Sequence, residues 1–390
     1  MLVFYGVGVT VGAGIFALVG EVVGIAGDHA PLAFLVAGLI AGASGVSYAK
    51  LSSVYVRAAG EAVYVKVGLG TWPAMAVGYG VTATAIISSA VLAQAFGGYL
   101  GSLVSIPGSV LTVAIVTLLG GVAWLGVRQS VALAAVITCL EVGTLLVVMF
   151  AGSHVFMDAD VIVRSVTLPL TTVAISSVFS AAIIAFFAFI GFEDIVNMAE
   201  ETIKPEKTIQ RAILLTLAIT VALYSMIAMI AIAIPDREAM VQSASPMAVL
   251  FQSLTGLSGK PIAAVASIAM VNGILVQIVM ASRVIFGMTN EGLAPVALGV
   301  LSEKRQTPGR AIGVISGLIL VLALTLPLVN LAHATSLVTL SVFFLVNLSL
   351  WRIGRQSGAA PVLVRWRLWG LVGAALSAAL FGIEFARLFF

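Results

Sequence analysis

Few side chains in this sequence can do acid–base chemistry inside an apolar run, and those few are informative. Glu141 lies in the middle of Ile137-Thr138-Cys139-Leu140-Glu141-Val142-Gly143. A charge at the centre of a bilayer costs about 2.5–3.5 kcal/mol on insertion scales, so such an acid is a functional candidate by default. A buried carboxyl can take up and release a proton, which makes Glu141 a proton-coupling candidate. Two other roles stay open: a protonated carboxyl that only hydrogen-bonds to a neighbouring helix, and a sodium ligand. Glu193 and Asp194 follow another apolar run. Acids in the first turn of a helix are favoured by its dipole; cation recognition or gating is the alternative. Asn272 and Gln277 fall mid-run, as do Ser88, Ser89, Thr339 and Ser341. Interhelical hydrogen bonds are the default for such groups, with a gating or ligand contact as the alternative. Met270 and Met280 read as packing.

What is missing excludes several classes. One cysteine, Cys139, leaves no intrachain disulfide and no cysteine metal cluster. Three histidines, His29, His154 and His333, are scattered. No catalytic constellation and no glycine-lysine phosphate loop is present. The expectation is therefore a protein that is not an enzyme, with no cofactor, no bound metal and no ATP-driven step. The net charge of +3 falls into short loops and is no sign of nucleic acid.

The backbone offers more chemistry than the side chains do. The stretch Val7-Gly8-Val9-Thr10-Val11-Gly12-Ala13-Gly14-Ile15-Phe16 carries three glycines in an apolar setting. Glycine weakens a helix and lets other atoms approach the main chain. In lipid an opened helix must line a cavity or be covered by protein, because unpaired N–H and C=O groups cost several kcal/mol there. A second such stretch, Phe186-Phe187-Ala188-Phe189-Ile190-Gly191-Phe192-Glu193-Asp194, comes much later. Two interrupted apolar segments at matching places in two halves point to a transporter binding site. The alternative is that the glycines only let helices pack closely.

The elements that must position these residues are membrane spans. The 390 residues are 61% hydrophobic and 9% charged, with a mean hydropathy of +1.19, which no soluble domain matches. The chain is expected to be all-α and to cross the lipid bilayer about eleven times, over 2–23, 31–54, 72–104, 110–127, 131–151, 170–200, 209–234, 263–290, 311–329, 333–351 and 366–389. With the N-terminus in the cytoplasm, fifteen basic residues fall at inner ends, among them Lys50, Arg57, Arg128, Arg283 and Lys304. Four, Arg164, Arg237, Lys260 and Arg387, fall at outer ends. That bias sets the orientation, and eleven spans leave the C-terminus outside. No cleavable signal peptide is visible. Lys204-Pro205 should end one helix and Thr208 cap the next. The loop opening at Pro235 should hold a short surface helix before Pro261.

Four passages resemble the amino acid–polyamine–organocation transporter superfamily, close to its cationic-amino-acid-transporter-like branch. They are Gly12-Ala13-Gly14-Ile15-Phe16; Ser47-Tyr48-Ala49; Phe186 to Phe192 with Ala199-Glu200-Glu201; and Asn290-Glu291-Gly292-Leu293-Ala294-Pro295. The resemblance implies a leucine-transporter-like fold, with five-span inverted repeats over about 1–154 and 166–351, spans 1 and 6 broken midway, and an additional span in 352–390. It also implies secondary transport of amino acids by alternating access across the plasma membrane. Relatives normally carry a cytoplasmic lead-in and a twelfth span, and neither is found here.

On this expectation the second half of span 1 opens near Gly14 with free N–H groups and a positive dipole end, suiting a carboxylate. The first half of span 6 ends near Phe187 and Ala188 with free carbonyls, suiting an ammonium. The candidate substrate site is therefore Val11, Gly12, Ala13, Gly14, Ile15, Phe187, Ala188, Phe189, Gly191 and Phe192, with Phe187, Phe189 and Phe192 as walls. In some proton-coupled relatives a lysine matches Glu141, and glutamate often follows the Ser-Tyr-Ala passage where this chain has Lys50. The two departures look like a charge swap, which would let Lys50 and Glu141 form a gated pair; otherwise Lys50 snorkels to the interface. The leading reading is proton-coupled symport or exchange of neutral amino acids, with cationic ones open. The alternatives are sodium-coupled symport of amino acids or amines, and a non-transporting sensor.

Overall fold

The computed structural model describes residues 2–56, 60–126, 131–167, 171–290, 292, 294–302 and 305–389. Arg57, Arg128 and Lys304 of the basic ends, and Glu291 and Leu293 of the fourth passage, lie outside them. The described residues form sixteen α-helices. Eight helical stretches among them are long and apolar enough to cross a membrane, the first being Ala13–Ser52; Ala135–Ala151 and Gly309–Thr325 are shorter apolar helices. A turn at Gly27–His29 divides the first stretch into two arms. With those arms counted apart, the helices fall at the eleven expected positions.

The first span is α1 (Leu2–Thr10) and α2 (Ala13–Ala26), separated at Val11-Gly12. Then come α3 (Ala30–Ser52), a short α4 (Gly60–Leu69), α5 (Thr71–Gly101), α6 (Gly108–Leu125) and α7 (Val131–Ala151). Helix α8 (Ala159–Val166) starts at Asp158, whose side chain accepts from the N–H groups of Asp160 and Val161, a side-chain cap for orphan donors. The sixth span is α9 (Thr172–Phe187), a four-residue turn, and a 3₁₀ helix over Phe192–Glu201. Helix α10 (Pro205–Ala233) begins with proline in its first turn, where the missing N–H costs nothing. Lys204 rather than Thr208 holds the cap position; the Thr208 hydroxyl bonds back to the Ile203 carbonyl at 2.9 Å. The loop after it holds two short helices, α11 (Arg237–Val241) and α12 (Pro246–Thr255), where one was expected. The remaining helices are α13 (Lys260–Asn290), α14 (Gly309–Thr325), α15 (Leu328–Ile353) and α16 (Pro361–Phe389).

The two broken spans sit inside the bundle. Helix α2 packs on α9, α1 on α7 and α10, and α13 on α5. Every residue from Ala13 to Gly20 is buried, whereas α6 and α14 turn many side chains outward. Polar side chains stitch the bundle by reaching neighbouring backbones. The Tyr99 hydroxyl donates to the Phe16 carbonyl at 2.7 Å and accepts from Met247 N–H at 3.1 Å. Ser336 donates to the Ile183 carbonyl at 2.7 Å, and Asn347 to Ser44 at 2.9 Å. Each such bond is worth only about 0.6 kcal/mol in a membrane, but together they fix register where apolar packing alone is unspecific.

Candidate functional site

The break in span 1 is short and has no side-chain cap. Val11 N–H still bonds to the Val7 carbonyl at 2.7 Å. Gly12 then swings to φ −42°, ψ −156°, and α2 starts at Ala13 with no side chain satisfying its first donors. A helix start always leaves such N–H groups without an intrahelical partner.

The break in span 6 is longer and has its own cap. The carbonyls of Ala185, Phe186 and Phe187 accept from Ala188, Phe189 and Ile190 at 3.0, 3.0 and 3.2 Å. The Phe187 carbonyl, one of the two expected to be free, is thus taken by the Ile190 N–H, which leaves it a second lone pair. Gly191 takes φ +120°, a conformation that favours glycine. Its N–H donates to Glu193 Oε2 at 2.8 Å.

The two breaks touch. A methyl group at Gly14 would stand 2.9 Å from Ala188 Cα, and one at Gly191 would stand 3.0 Å from the Val9 carbonyl oxygen. Tyr224 of α10 joins them. Its hydroxyl lies 2.8 Å from the Thr10 carbonyl oxygen and 3.1 Å from that of Ala188. One proton therefore serves the loose end of each span. The ring is held edge-on by Phe34 and tilted against Phe189, with centroids at 5.8 and 5.2 Å.

Beside the breaks lies a central cavity of about 80 Å³. Its walls are Gly8–Thr10 and Gly12–Gly14 of span 1, Phe187, Ala188, Ile190 and Asp194 of span 6, Ser88 and Leu92 of α5, Glu141 of α7, and Ala269, Asn272, Gly273, Val276 and Gln277 of α13. Gly12, Ala13, Gly14, Phe187, Ala188, Glu141, Asn272 and Gln277 thus converge. Glu141 is 1% exposed, and its Oε2 has no hydrogen-bond partner.

Other expected site residues stand elsewhere. Val11 and Ile15 are buried on the faces of span 1 turned from the cavity. Phe189 and Phe192 are not walls. Phe189 lies against Tyr224 and beside Gly38, and Phe192 packs on Tyr48 and Phe343; helical turns carry both rings into the bundle core. Lys50 does not meet Glu141. Its ammonium donates to Gln210 at 3.0 Å and lies 4.7 Å from the centre of the Trp366 ring. Gly8 lines the central cavity and also packs closely, since a side chain there would collide with Thr138 of α7.

A second cavity, of about 90 Å³, sits on the α4 side of the breaks. It shares Ile190, Asp194 and Gln277 with the central one and adds Gly191, Glu193, Tyr48, Glu61, Thr84, Met280, Thr339 and Phe343. Glu61 of α4, a short helix outside the apolar spans, is 7% exposed. Burial pushes its carboxyl up to about 7, and nearby Asp194 adds to the rise.

Sequence reasoning missed Thr10, Tyr224 and Glu61. Thr10 lines the central cavity with its hydroxyl unpartnered. It lies in the glycine-rich stretch, so its position was the available signal. Tyr224 and Glu61 act through contacts that no local pattern encodes.

An all-helical, multi-pass bundle with two discontinuous helices around a central cavity has the build of a small-molecule transporter. The chain belongs to the amino acid permease family, whose pattern it matches over residues 1–390. It is 28% identical over 380 residues to an uncharacterized transporter of Mycobacterium tuberculosis, a match covering 96% of this chain and 84% of the relative. It is 26% identical to the branched-chain amino acid permease BcaP of Bacillus subtilis, covering 92% and 81%. It is 27% identical to the vacuolar cationic amino acid transporter 2 of Arabidopsis thaliana, covering 90% of this chain and 58% of the relative. Family and relatives are transporters rather than enzymes, and they support amino acid transport as the activity.

Proposed function

We propose that the chain carries neutral amino acids by alternating access, coupled to protons, with the substrate held between the two broken spans. The observation that carries this reading is the meeting of both breaks on one cavity. The uncapped start of α2 offers N–H groups and a positive dipole end to the α-carboxylate. The end of α9 offers carbonyl lone pairs to the α-ammonium. Phe187, Leu92 and Val276 give the side chain apolar walls, as a branched-chain amino acid needs. The name of the BcaP relative agrees with that substrate class.

Glu141 is the coupling group on this reading. It faces the same cavity, and its Oε2 lacks a partner. Sodium coupling is less favoured, because α13 presents Asn272 and Gln277 to the central cavity and no serine or threonine among the described residues. The Ser282 hydroxyl instead bonds back to the Val279 carbonyl at 2.8 Å. The inverted repeats over 1–154 and 166–351, the added last span, the cytoplasmic N-terminus and the plasma membrane belong to the same proposal.

Leucine uptake into proteoliposomes with and without an imposed proton gradient tests it. Wild type should be accelerated by inward proton flow. Glu141→Gln should lose that acceleration while still exchanging internal for external leucine. An unchanged gradient dependence in the variant ends the assignment of Glu141.

A further inference from the structure

Three helices bring charge of a single sign to one end of the bundle. Lys50 lies near the end of α3, Arg352 and Arg355 at the end of α15, and Arg365 and Arg367 in the first turns of α16. Residues 41–56 and 351–370 hold no aspartate or glutamate. None of the five cations forms an ion pair among the described residues. Packing draws them together. Lys50 Nζ is 4.7 Å from the centre of the Trp366 ring and donates to Gln210 at 3.0 Å, and Arg365 is near enough to repel it. Arg367 crosses the end of α15, where a methyl group at Gly354 would stand 2.7 Å from Arg367 Cβ. Arg355 lies over the Trp351 ring, 4.9 Å from its centre. Trp366 meets Trp369 edge-on with centroids 6.2 Å apart, and the Trp369 indole N–H donates to the Ala43 carbonyl at 2.9 Å. The start of α16 is thereby pinned to α3, and all four arginines are left exposed.

We propose that this cluster is a binding site for the headgroup of an anionic phospholipid, its phosphate held by Arg365, Arg367, Arg355 and Lys50. Like charges gathered in this way repel one another unless an anion lies among them. Arginine forks match phosphate oxygens bidentately, and basic pockets between membrane helices suit lipid phosphates. Indole rings favour the level of the headgroups, where Trp366 and Trp369 would then lie. The apolar surface commits the site to a lipid rather than to a free anion. Val364, Leu368, Leu371 and Val372 are exposed at helical spacing along α16, beside the cluster. Acyl chains can follow that track, and an inorganic phosphate ion has no use for it.

Quenching of tryptophan fluorescence by brominated lipids tests it, on the full chain reconstituted into vesicles. A chain carrying Trp72→Phe and Trp124→Phe keeps Trp351, Trp366 and Trp369, all at the cluster, as reporters. Dibrominated phosphatidylglycerol should quench them at about fivefold lower mole fraction than dibrominated phosphatidylcholine. Adding Arg365→Gln and Arg367→Gln should bring that ratio below about twofold. Adding Lys204→Asn and Lys207→Gln instead, which removes two exposed cations near the start of α10, should leave it unchanged. Equal quenching by the two lipids in the starting chain overturns the proposal, as does a ratio that survives loss of Arg365 and Arg367. An equal fall in the Lys204 and Lys207 variant marks diffuse surface charge and overturns it too. Displacement of the brominated lipid by millimolar inorganic phosphate marks a free-anion site and overturns the lipid assignment. If the Arg365 and Arg367 variant does not fold, Lys50→Gln with Arg355→Gln decides by the same ratio. The lipid preference can be read in a chain that moves no leucine, so its outcome and that of the transport reading stay separate.

Discussion

The breaks in spans 1 and 6 do the same job by different means. Span 1 opens over Val11-Gly12 with no side chain reaching back to its new end. Span 6 opens over four residues, turns at Gly191 with φ +120°, and ties its next segment with Glu193. The first break therefore keeps donors available, and the second has already spent a donor on its own carboxylate. A zwitterion needs that asymmetry, since its carboxylate wants donors and its ammonium wants acceptors. Only Tyr224 treats the two ends alike, sharing its proton between Thr10 and Ala188.

This contrast can be broken at several points. The largest effect is expected from Gly191→Ala, which strains a left-handed backbone and pushes on the Val9 carbonyl. Strain of about 1–3 kcal/mol falls where both spans meet, and leucine uptake in proteoliposomes should drop below detection while the protein still purifies. Tyr224→Phe removes the shared proton but keeps the ring. With about 0.5–1.5 kcal/mol per lost hydrogen bond, the apparent leucine affinity should fall roughly tenfold in binding assays, and an unchanged affinity would make Tyr224 a packing residue. Gly8→Ala should act chiefly on stability, because the added methyl meets the Thr138 side chain and not the second break. Overpacking of about 1–3 kcal/mol should lower the melting temperature by a few degrees, with partial recovery in the double variant with Thr138→Ala.

The spans were legible because eleven apolar runs of membrane length are hard to read any other way. The breaks were legible because glycine in such a run has to be accounted for. The expected start of the second half near Gly14 lies one residue past the observed Ala13. Direction within a span was less legible. Phe187, Phe189 and Phe192 look alike in sequence, but the turn after Phe187 sends only the first into the cavity and the others against Tyr224 and Phe343. Lys50 and Glu141 looked complementary by type, yet the fold gives Lys50 to Gln210 and Trp366. Glu61 falls outside the eleven apolar runs, and the short helix α4 buries it in a cavity shared with span 6. Each miss concerns which distant element covers a residue, and local pattern carries no record of that.

The central claim is that one zwitterion bridges the two breaks. It is tested most directly by competition against leucine uptake in proteoliposomes, using leucinol, which lacks the carboxylate, and 4-methylpentanoate, which lacks the ammonium. A site built to hydrogen-bond both ends rejects analogues missing either by large factors. The account predicts that each competes at least about a hundredfold more weakly than leucine; competition by either one as strong as leucine's would contradict it.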